Sequence, residues 1–145
     1  MNISLHPKQR IHFYSPANEI LFGGSAGPGK SMVLRVSAVR WCEMVPGCQV
    51  YLFRRTYPDL RDNHLRGPTS FKMLLKDRLA AGVVKYNKTE NEFVWKDTNS
   101  RIRLCHCQNE DDVENYQGAE IHVLMIDELT HFTEYQYKFL RSRVR

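Results

Sequence analysis

The sequence predicts an α/β fold in which a mainly parallel sheet is flanked by helices. Three short segments are apolar almost throughout, which is typical of strands buried on both faces of a sheet. These segments are residues 20–22, 48–53 and 122–126. One helical pattern, over residues 30–44, links the first two, and a second begins near Phe71 and ends at Gly82. Buried strands joined by helices favour parallel pairing through crossover connections.

The connections between these elements carry ordinary chain-breaking signals. Residues 5–13 lead into a short helix or turn, and Pro46-Gly47 ends the first long helix. The segment from Pro58 to Pro68 is polar, and its composition is typical of a loop. We therefore expect no regular structure between the second strand and the helix that begins near Phe71.

Alternation of apolar and polar residues in the middle of the chain predicts a small antiparallel β insertion. Its strands are residues 83–86, 92–95 and 102–107, with turn signals at Asn87 and Asn99. A short helical turn is expected over residues 110–115. The final helix is predicted over residues 133–144, with Thr133 as its N-terminal cap.

A glycine-rich segment directly follows the first predicted strand and matches G-x-x-x-x-G-K-[ST], the P-loop or Walker A motif. Its residues are Gly24, Ser25, Ala26, Gly27, Pro28, Gly29, Lys30 and Ser31. In such a loop consecutive backbone N–H groups point at one phosphate, and the N-terminus of the following helix adds its dipole. Lys30 is placed to reach the β- and γ-phosphates, and Ser31 to bind Mg²⁺. The alternative is a glycine-rich turn that opens an ordinary helix.

Two carboxylates, Asp127 and Glu128, follow the third apolar strand in the manner of a Walker B motif. Asp127 is placed to hold Mg²⁺ near the phosphates, and Glu128 to orient and deprotonate the attacking water. Any strand can end in two acids, so the pattern indicates a Walker B motif only because a P-loop motif precedes it in the sequence. Together the two motifs predict a P-loop NTPase of the branch that uses a catalytic glutamate, which includes motor ATPases, helicases and translocases.

Several segments besides these two motifs are typical of one family. They are Pro7-Lys8-Gln9, residues 22–31, residues 52–56, residues 116–120 and residues 126–132. With them the chain resembles the N-terminal packaging ATPase of the large terminase subunit of tailed bacteriophages. The resemblance implies an ATPase that uses ATP and Mg²⁺ to drive double-stranded DNA into a procapsid. Gln9 resembles the family's adenine-contacting glutamine, whose amide suits the adenine edge; a surface glutamine is the alternative.

The resemblance also implies an arginine that stabilises the transferring phosphate, which is worth about 10³–10⁵ in rate. Family members place it inside the P-loop, where this chain has Ser25 and Ala26, or just before Gly118, where it has Gln117. Arg54 and Arg55, at the end of the second strand, are therefore the candidates, acting within one subunit or across a ring interface. The alternative is that they are solvated strand-end charges or contact DNA.

The partners that the resemblance implies are double-stranded DNA, a portal protein, the small terminase subunit and copies of the chain in a ring on the portal. The expected location is the host cell cytoplasm, without a membrane. Residues 1–145 are expected to form the N-terminal part of the ATPase domain, with a truncated sheet, because the family continues into further strands and a nuclease domain. A helicase or recombination-type DNA-dependent ATPase, or a non-catalytic nucleotide-binding assembly module, are alternative functions.

The composition, with 42% hydrophobic and 26% charged residues, is that of an ordinary globular protein. A net charge of +5 suits a nucleic-acid partner and a solvated cationic surface equally. Neither a membrane-spanning segment nor a signal pattern is present, so we expect an intracellular protein with free thiols. Strand alternation places the thiols of Cys105 and Cys107 on one face and His106 on the other, and the sequence shows no second ligand pair, which opposes a zinc site there. Trp41, Phe53 and Trp95 are predicted core residues.

Overall fold

The computed structural model of the chain describes residues 28–145, together with the single residue Pro7. Several predictions lie outside this part of the chain. They concern the elements within residues 5–13 and 20–22, and the site residues Gln9, Gly24, Ser25, Ala26 and Gly27. For these positions the predictions stay predictions.

Helix α1, Pro28–Met44, confirms the first predicted helix and begins within the P-loop sequence. The side chains of Ala38, Val39 and Cys42 are buried against strand residues of the main core cluster. The chain then turns at Gly47, whose φ of +75° lies in the left-handed region that glycine adopts without steric cost. The turn directs the chain into the first strand of the sheet.

Within residues 28–145 the sheet has five strands in the spatial order β2-β3-β4-β1-β5. The strands are β1 Gln49–Arg54, β2 Val84–Asn87, β3 Glu92–Trp95, β4 Arg101–His106 and β5 Val123–Ile126. Strand β1 lies between β4 and β5 and pairs with both in parallel, whereas β2, β3 and β4 pair antiparallel. The parallel order brings the carboxyl ends of β1 and β5 to the same edge of the sheet.

The predicted antiparallel insertion is confirmed, because β2 pairs with β3 and β3 with β4 in antiparallel fashion. Strand β4 also pairs in parallel with β1, a second neighbour that was not predicted. The alternation in β4 arises because its arginines have polar partners on the neighbouring hairpin. Arg101 pairs with Glu92 at 2.9 Å and Arg103 with Glu90 at 2.7 Å. These pairs allow polar side chains in a strand that lies within the sheet.

The two faces of the sheet form separate core clusters. Val50 and Leu52 of β1 belong to the cluster that includes the buried side chains of α1. Tyr51 and Phe53 point to the other face, where the Phe53 ring lies 4.9 Å from that of Tyr116, centroid to centroid. Phe53 and Trp95 are buried as predicted, but the prediction for Trp41 was wrong, because its side chain is 46% exposed at the end of α1.

The segment between β1 and residue 80, part of which was predicted as a loop, is largely helical. It contains α2 Tyr57–Leu60, a π-helical turn Arg61–Leu65, α3 Phe71–Leu74 and α4 Lys76–Ala80. Thr56 caps α2 by accepting a hydrogen bond from the Asp59 N–H, and Pro58 is tolerated in the first turn, where no donor is needed. The helix stop at Gly82 is confirmed, with φ of +75°.

The C-terminal part follows the predicted order of elements. A 3₁₀ turn covers Glu110–Tyr116, a second covers Leu129–His131, and helix α5 covers Glu134–Arg141. Thr133 caps α5 as predicted, because its hydroxyl accepts from the Gln136 N–H while the Gln136 side chain accepts from the Thr133 N–H. Beyond α5, Val144 forms a parallel bridge with Ile121, beside the start of β5. No helix in the described part of the chain is long and apolar enough to cross a membrane.

All four cysteines are free and buried, and we expect them to react slowly in the native protein. Burial raises the pKa of the Cys105 and Cys107 thiols to about 12, and it also raises the pKa of Cys42 and Cys48. Since the thiolate is the reactive form, labelling with a disulfide reagent at neutral pH should be at least about 100-fold slower than in denaturant. A rapidly labelled thiol in the native protein would contradict the burial described here.

Candidate functional site

Asp127 is the centre of a buried polar cluster at the end of β5. Its backbone N–H donates to the Phe53 carbonyl at 2.9 Å, which fixes it beside the end of β1. The residue is only 5% exposed. Its Oδ2 atom accepts hydrogen bonds from Ser31 Oγ at 3.0 Å, Arg54 Nη1 at 2.7 Å and His64 Nε2 at 2.8 Å. Three separate segments therefore converge on one carboxylate oxygen.

The contact between Ser31 and Asp127 joins the two sequence motifs. Ser31 lies in the first turn of α1 and is buried, and Lys30 immediately before it is half-buried. Gly29 lies in the same turn, and Pro28 begins the helix. The end of the P-loop sequence and the acidic end of β5 thus lie in one place.

The two candidate arginines differ in their surroundings. Arg54 ends β1, is 9% exposed, and forms an ion pair with Asp127. Arg55 is exposed, and its backbone carbonyl accepts from the Cys107 N–H at 3.1 Å. The structure brings Arg54 into the polar cluster and does not bring the Arg55 side chain there.

Glu128 follows Asp127 and is half-buried. Its backbone has φ of +56° and ψ of +58°, a left-handed conformation that is uncommon for a residue with a side chain. It stands at the start of the 3₁₀ turn Leu129–His131, and its carbonyl accepts from the His131 N–H at 2.9 Å. Such conformations persist where the surrounding structure determines them, and they cluster at functional sites.

Two members of the cluster, His64 and Arg35, are absent from the sequence predictions. His64 lies in the π-helical turn and is fully buried, and Arg35 lies in α1 with 2% exposure. Arg35 is four residues after Ser31, so the two side chains share one face of the helix, and this spacing is the one sequence signal that could have indicated it. His64 lies in the segment predicted as a loop, and no pattern there identifies it.

The hydrogen bonds assign a neutral tautomer to His64. Arg35 can only donate, so its 3.1 Å contact with Nδ1 requires a lone pair on that atom, and the proton lies on Nε2 facing Asp127. Burial, together with the charges of Arg35 and Arg54, lowers the pKa of His64 against the opposite effect of Asp127, which agrees with a neutral ring. Burial also lowers the pKa of Arg35, to about 10, which leaves the guanidinium charged at neutral pH.

Asp127 is an ionised carboxylate at physiological pH. Burial alone would raise its pKa, but the hydrogen bond from His64 and the charge of Arg54 outweigh burial and lower the pKa to about 2. The site therefore holds an anionic oxygen ligand next to a hydroxyl oxygen. Carboxylate and hydroxyl oxygens are the ligand types that Mg²⁺ prefers, so Ser31 and Asp127 fit this ion.

The Cys105-His106-Cys107 segment does not bring its three side chains together. Cys105 and Cys107 are buried while His106 between them is exposed, and residues 28–145 contain no cluster of three His, Cys, Asp or Glu side chains suited to a metal. A cleft of about 720 Å³ lies elsewhere, lined by residues that include Tyr51, Arg103 and Tyr116. None of the predicted site residues within 28–145 lines this cleft.

The protein is a mixed α/β protein with a buried polar cluster. The cluster lies at the carboxyl ends of the adjacent parallel strands β1 and β5. Residues 21–144 match the family model described as "Terminase large subunit, T4likevirus-type, N-terminal". The chain belongs to this family of N-terminal regions of large terminase subunits.

A solved structure is similar in fold. The large terminase of a thermophilic bacteriophage superposes with a TM-score of 0.76 at 23% sequence identity, covering 97% of this chain. The chain spans about a third of that protein, 36% of its length. No curated protein matches the chain. The family prediction is therefore confirmed, and the α/β fold is that of a large terminase.

Proposed function

We propose that this chain is the ATP-hydrolysing part of a phage packaging motor, which couples ATP hydrolysis to movement of double-stranded DNA into a procapsid. The observation that carries the proposal is the 3.0 Å hydrogen bond from Ser31 Oγ to Asp127 Oδ2. It joins the P-loop sequence to the acidic strand end, as a shared nucleotide and metal site requires. Membership of the terminase family supports the motor role.

The P-loop and the acidic strand end take separate roles in this proposal. Lys30 and the loop backbone bind the phosphates of ATP, and Gln9 contacts the adenine. Ser31 and Asp127 hold Mg²⁺, which when bound neutralises charge that develops on the transferring phosphate. The residues of the loop are Gly24, Ser25, Ala26, Gly27, Pro28 and Gly29.

Glu128 is the proposed general base, placed one residue after the metal-binding carboxylate. Arg54 is the better-placed arginine for the transferring phosphate, because it is buried in the cluster and its Nε has no hydrogen-bond partner among residues 28–145. Arg55, being exposed, suits a role across a ring interface or on DNA. Both roles remain part of the proposal.

The motor role brings further partners. We propose double-stranded DNA, the portal protein, the small terminase subunit and neighbouring copies in a ring as partners, in the host cytoplasm. A helicase-type ATPase would instead be stimulated by single-stranded DNA. A non-catalytic assembly module would bind ATP and form rings without turnover, so turnover measured with each kind of DNA separates the three functions.

Replacing Lys30 with alanine is expected to weaken ATP binding by about 10- to 100-fold, because a hydrogen bond to a charged group contributes about 1.5–3 kcal/mol. Binding is measured by titration calorimetry and turnover by phosphate release. Lys138→Ala is the matched control, since Lys138 is an exposed lysine that pairs with Glu134 on α5. Equal ATP affinity in wild type and Lys30→Ala would contradict the nucleotide site.

A further inference from the structure

We propose that His64 and Arg35 are positioning residues that hold the Asp127 carboxylate in the orientation needed for its cation. The inference rests on the proposed function, in which Ser31 and Asp127 bind Mg²⁺. It assigns a purpose to two buried polar residues that neither sequence motif contains.

The guanidinium of Arg35 is fixed at several points. Nη1 donates to the Asn63 carbonyl at 2.7 Å and Nη2 donates to Thr69 Oγ1 at 3.0 Å, while Nη1 also contacts His64 Nδ1 at 3.1 Å. Asn63 lies in the π-helical turn and Thr69 in the segment that follows it. The position of the guanidinium is therefore determined by both segments, and the guanidinium in turn fixes the imidazole.

The imidazole of His64 contacts Arg35 through one ring nitrogen and Asp127 through the other. Because Nδ1 accepts from Arg35, the proton is held on Nε2, which donates to Asp127 Oδ2 at 2.8 Å. The Phe71 ring lies 6.1 Å from the imidazole, centroid to centroid, and packs beside it. Both the tautomer and the position of the ring are thus determined by neighbours.

The side chains of Arg35, His64 and Asp127 are nearly inaccessible to solvent, so each of their hydrogen bonds contributes more than it would at the surface. Arg35 is 2% exposed, His64 fully buried and Asp127 5% exposed. In such a low-dielectric environment hydrogen bonds are stronger, and a lost partner is not replaced by water. A carboxylate held in this way has little freedom to rotate.

The arrangement of donors suits a metal-binding carboxylate. Within residues 28–145 the side-chain donors to Asp127 all end on Oδ2, and no side chain of this part of the chain donates to Oδ1. Residues that orient a metal-binding side chain typically contribute about 10- to 100-fold to metal affinity.

A purely structural role, in which the same bonds only fasten the segment of residues 57–70 to α1, predicts different results. It predicts lower thermal stability on substitution with no change in metal affinity of the folded protein. The positioning role predicts a change in metal affinity that a donor-and-acceptor substitute reverses. The two roles are separated by measuring both quantities on the same variants.

The experiment compares wild type with His64→Leu, His64→Gln and Arg35→Met. Mn²⁺ is the probe, and its dissociation constant is measured by electron paramagnetic resonance in the presence of ATP. ATP affinity in EDTA and the melting temperature are measured on the same samples. His64→Leu should raise the Mn²⁺ dissociation constant about 10- to 100-fold with unchanged ATP affinity in EDTA. His64→Gln, whose amide keeps one donor and one acceptor, should restore most of the affinity.

Arg35→Met retains His64 but removes the guanidinium that contacts its Nδ1, together with the hydrogen bonds to Asn63 and Thr69, so it tests the proposal even if His64→Leu does not fold. It should weaken Mn²⁺ binding in the same direction. Wild-type Mn²⁺ affinity in folded Arg35→Met, and in His64→Leu where it folds, would overturn the positioning role alone. Absence of ATP-dependent Mn²⁺ binding in the wild type would overturn the proposed function together with it.

Discussion

Replacing Glu128 with glutamine is expected to lower ATP turnover by about 10²–10⁴-fold while ATP still binds. A positioned general base contributes about this factor, and an amide of the same shape cannot accept the proton. Glu128 immediately follows Asp127, whose Oδ2 atom contacts Ser31 of the P-loop sequence. The loss should therefore fall on turnover and not on binding.

The measurement is phosphate release at saturating ATP and double-stranded DNA, with ATP affinity determined separately. Glu134→Gln is the matched control, because Glu134 is an exposed glutamate on α5 that makes a surface pair with Lys138. It should turn over ATP as the wild type does. Equal turnover in Glu128→Gln and wild type would remove Glu128 as the base and leave the metal and phosphate roles untouched.

The place of Glu128 after a buried strand could be predicted from the sequence, but its backbone conformation could not. The pair of acids after an apolar strand is a local pattern, and the strand, β5, is where the pattern predicts it. The left-handed backbone at Glu128, with φ of +56°, has no such signal, because only glycine or asparagine would indicate it. The left-handed conformation occurs where the chain passes from the end of β5 into the 3₁₀ turn Leu129–His131.

The elements that could be predicted are those whose signals lie within the element itself. Helix α1, strand β1 and the Thr133 cap each depend on neighbours a few residues away in sequence. The place of β4 beside β1 could not be predicted, because pairing partners 52 positions apart, such as Val50 and Ile102, leave no local trace. Its alternating pattern indicated a strand of the antiparallel insertion but not the parallel neighbour, β1, on its other side.

The buried half of the site escaped prediction for the same reason. The segment that carries His64 contains Pro58, Gly67 and Pro68, and its polarity indicated a loop. Its helical turns are held by tertiary packing, with Leu60 fully buried and Leu65 6% exposed. The buried imidazole of His64 hydrogen-bonds to Asp127, which lies 63 positions away in the sequence. A contact over this separation leaves no local sequence pattern.

Replacing Asp127 with alanine is expected to destabilise the fold by about 3–5 kcal/mol, since breaking a buried ion pair leaves the remaining charge without compensation. Arg54 would lose its ion pair, and His64 and Ser31 would lose their acceptor, all within a buried cluster. The free energy of unfolding is measured by urea denaturation at pH 7. Asp62→Ala is the control: Asp62 is exposed and, within residues 28–145, pairs with Arg61 and Arg66 at the surface, so its loss should change stability far less than Asp127→Ala does.

The pH dependence of this difference identifies its origin. The pKa of Asp127 is lowered to about 2 in the folded chain, from 3.8. A group whose pKa is lowered by folding stabilises the protein fully above the unfolded pKa and loses that contribution as pH falls through the folded pKa. The stability difference between wild type and Asp127→Ala should therefore stay constant from pH 7 to about 5 and shrink between about 4 and 2. Asp127→Asn, which keeps an acceptor but no charge, should lose less than Asp127→Ala, and a pH-independent difference would mean that packing, rather than the ionised carboxylate, holds the cluster together.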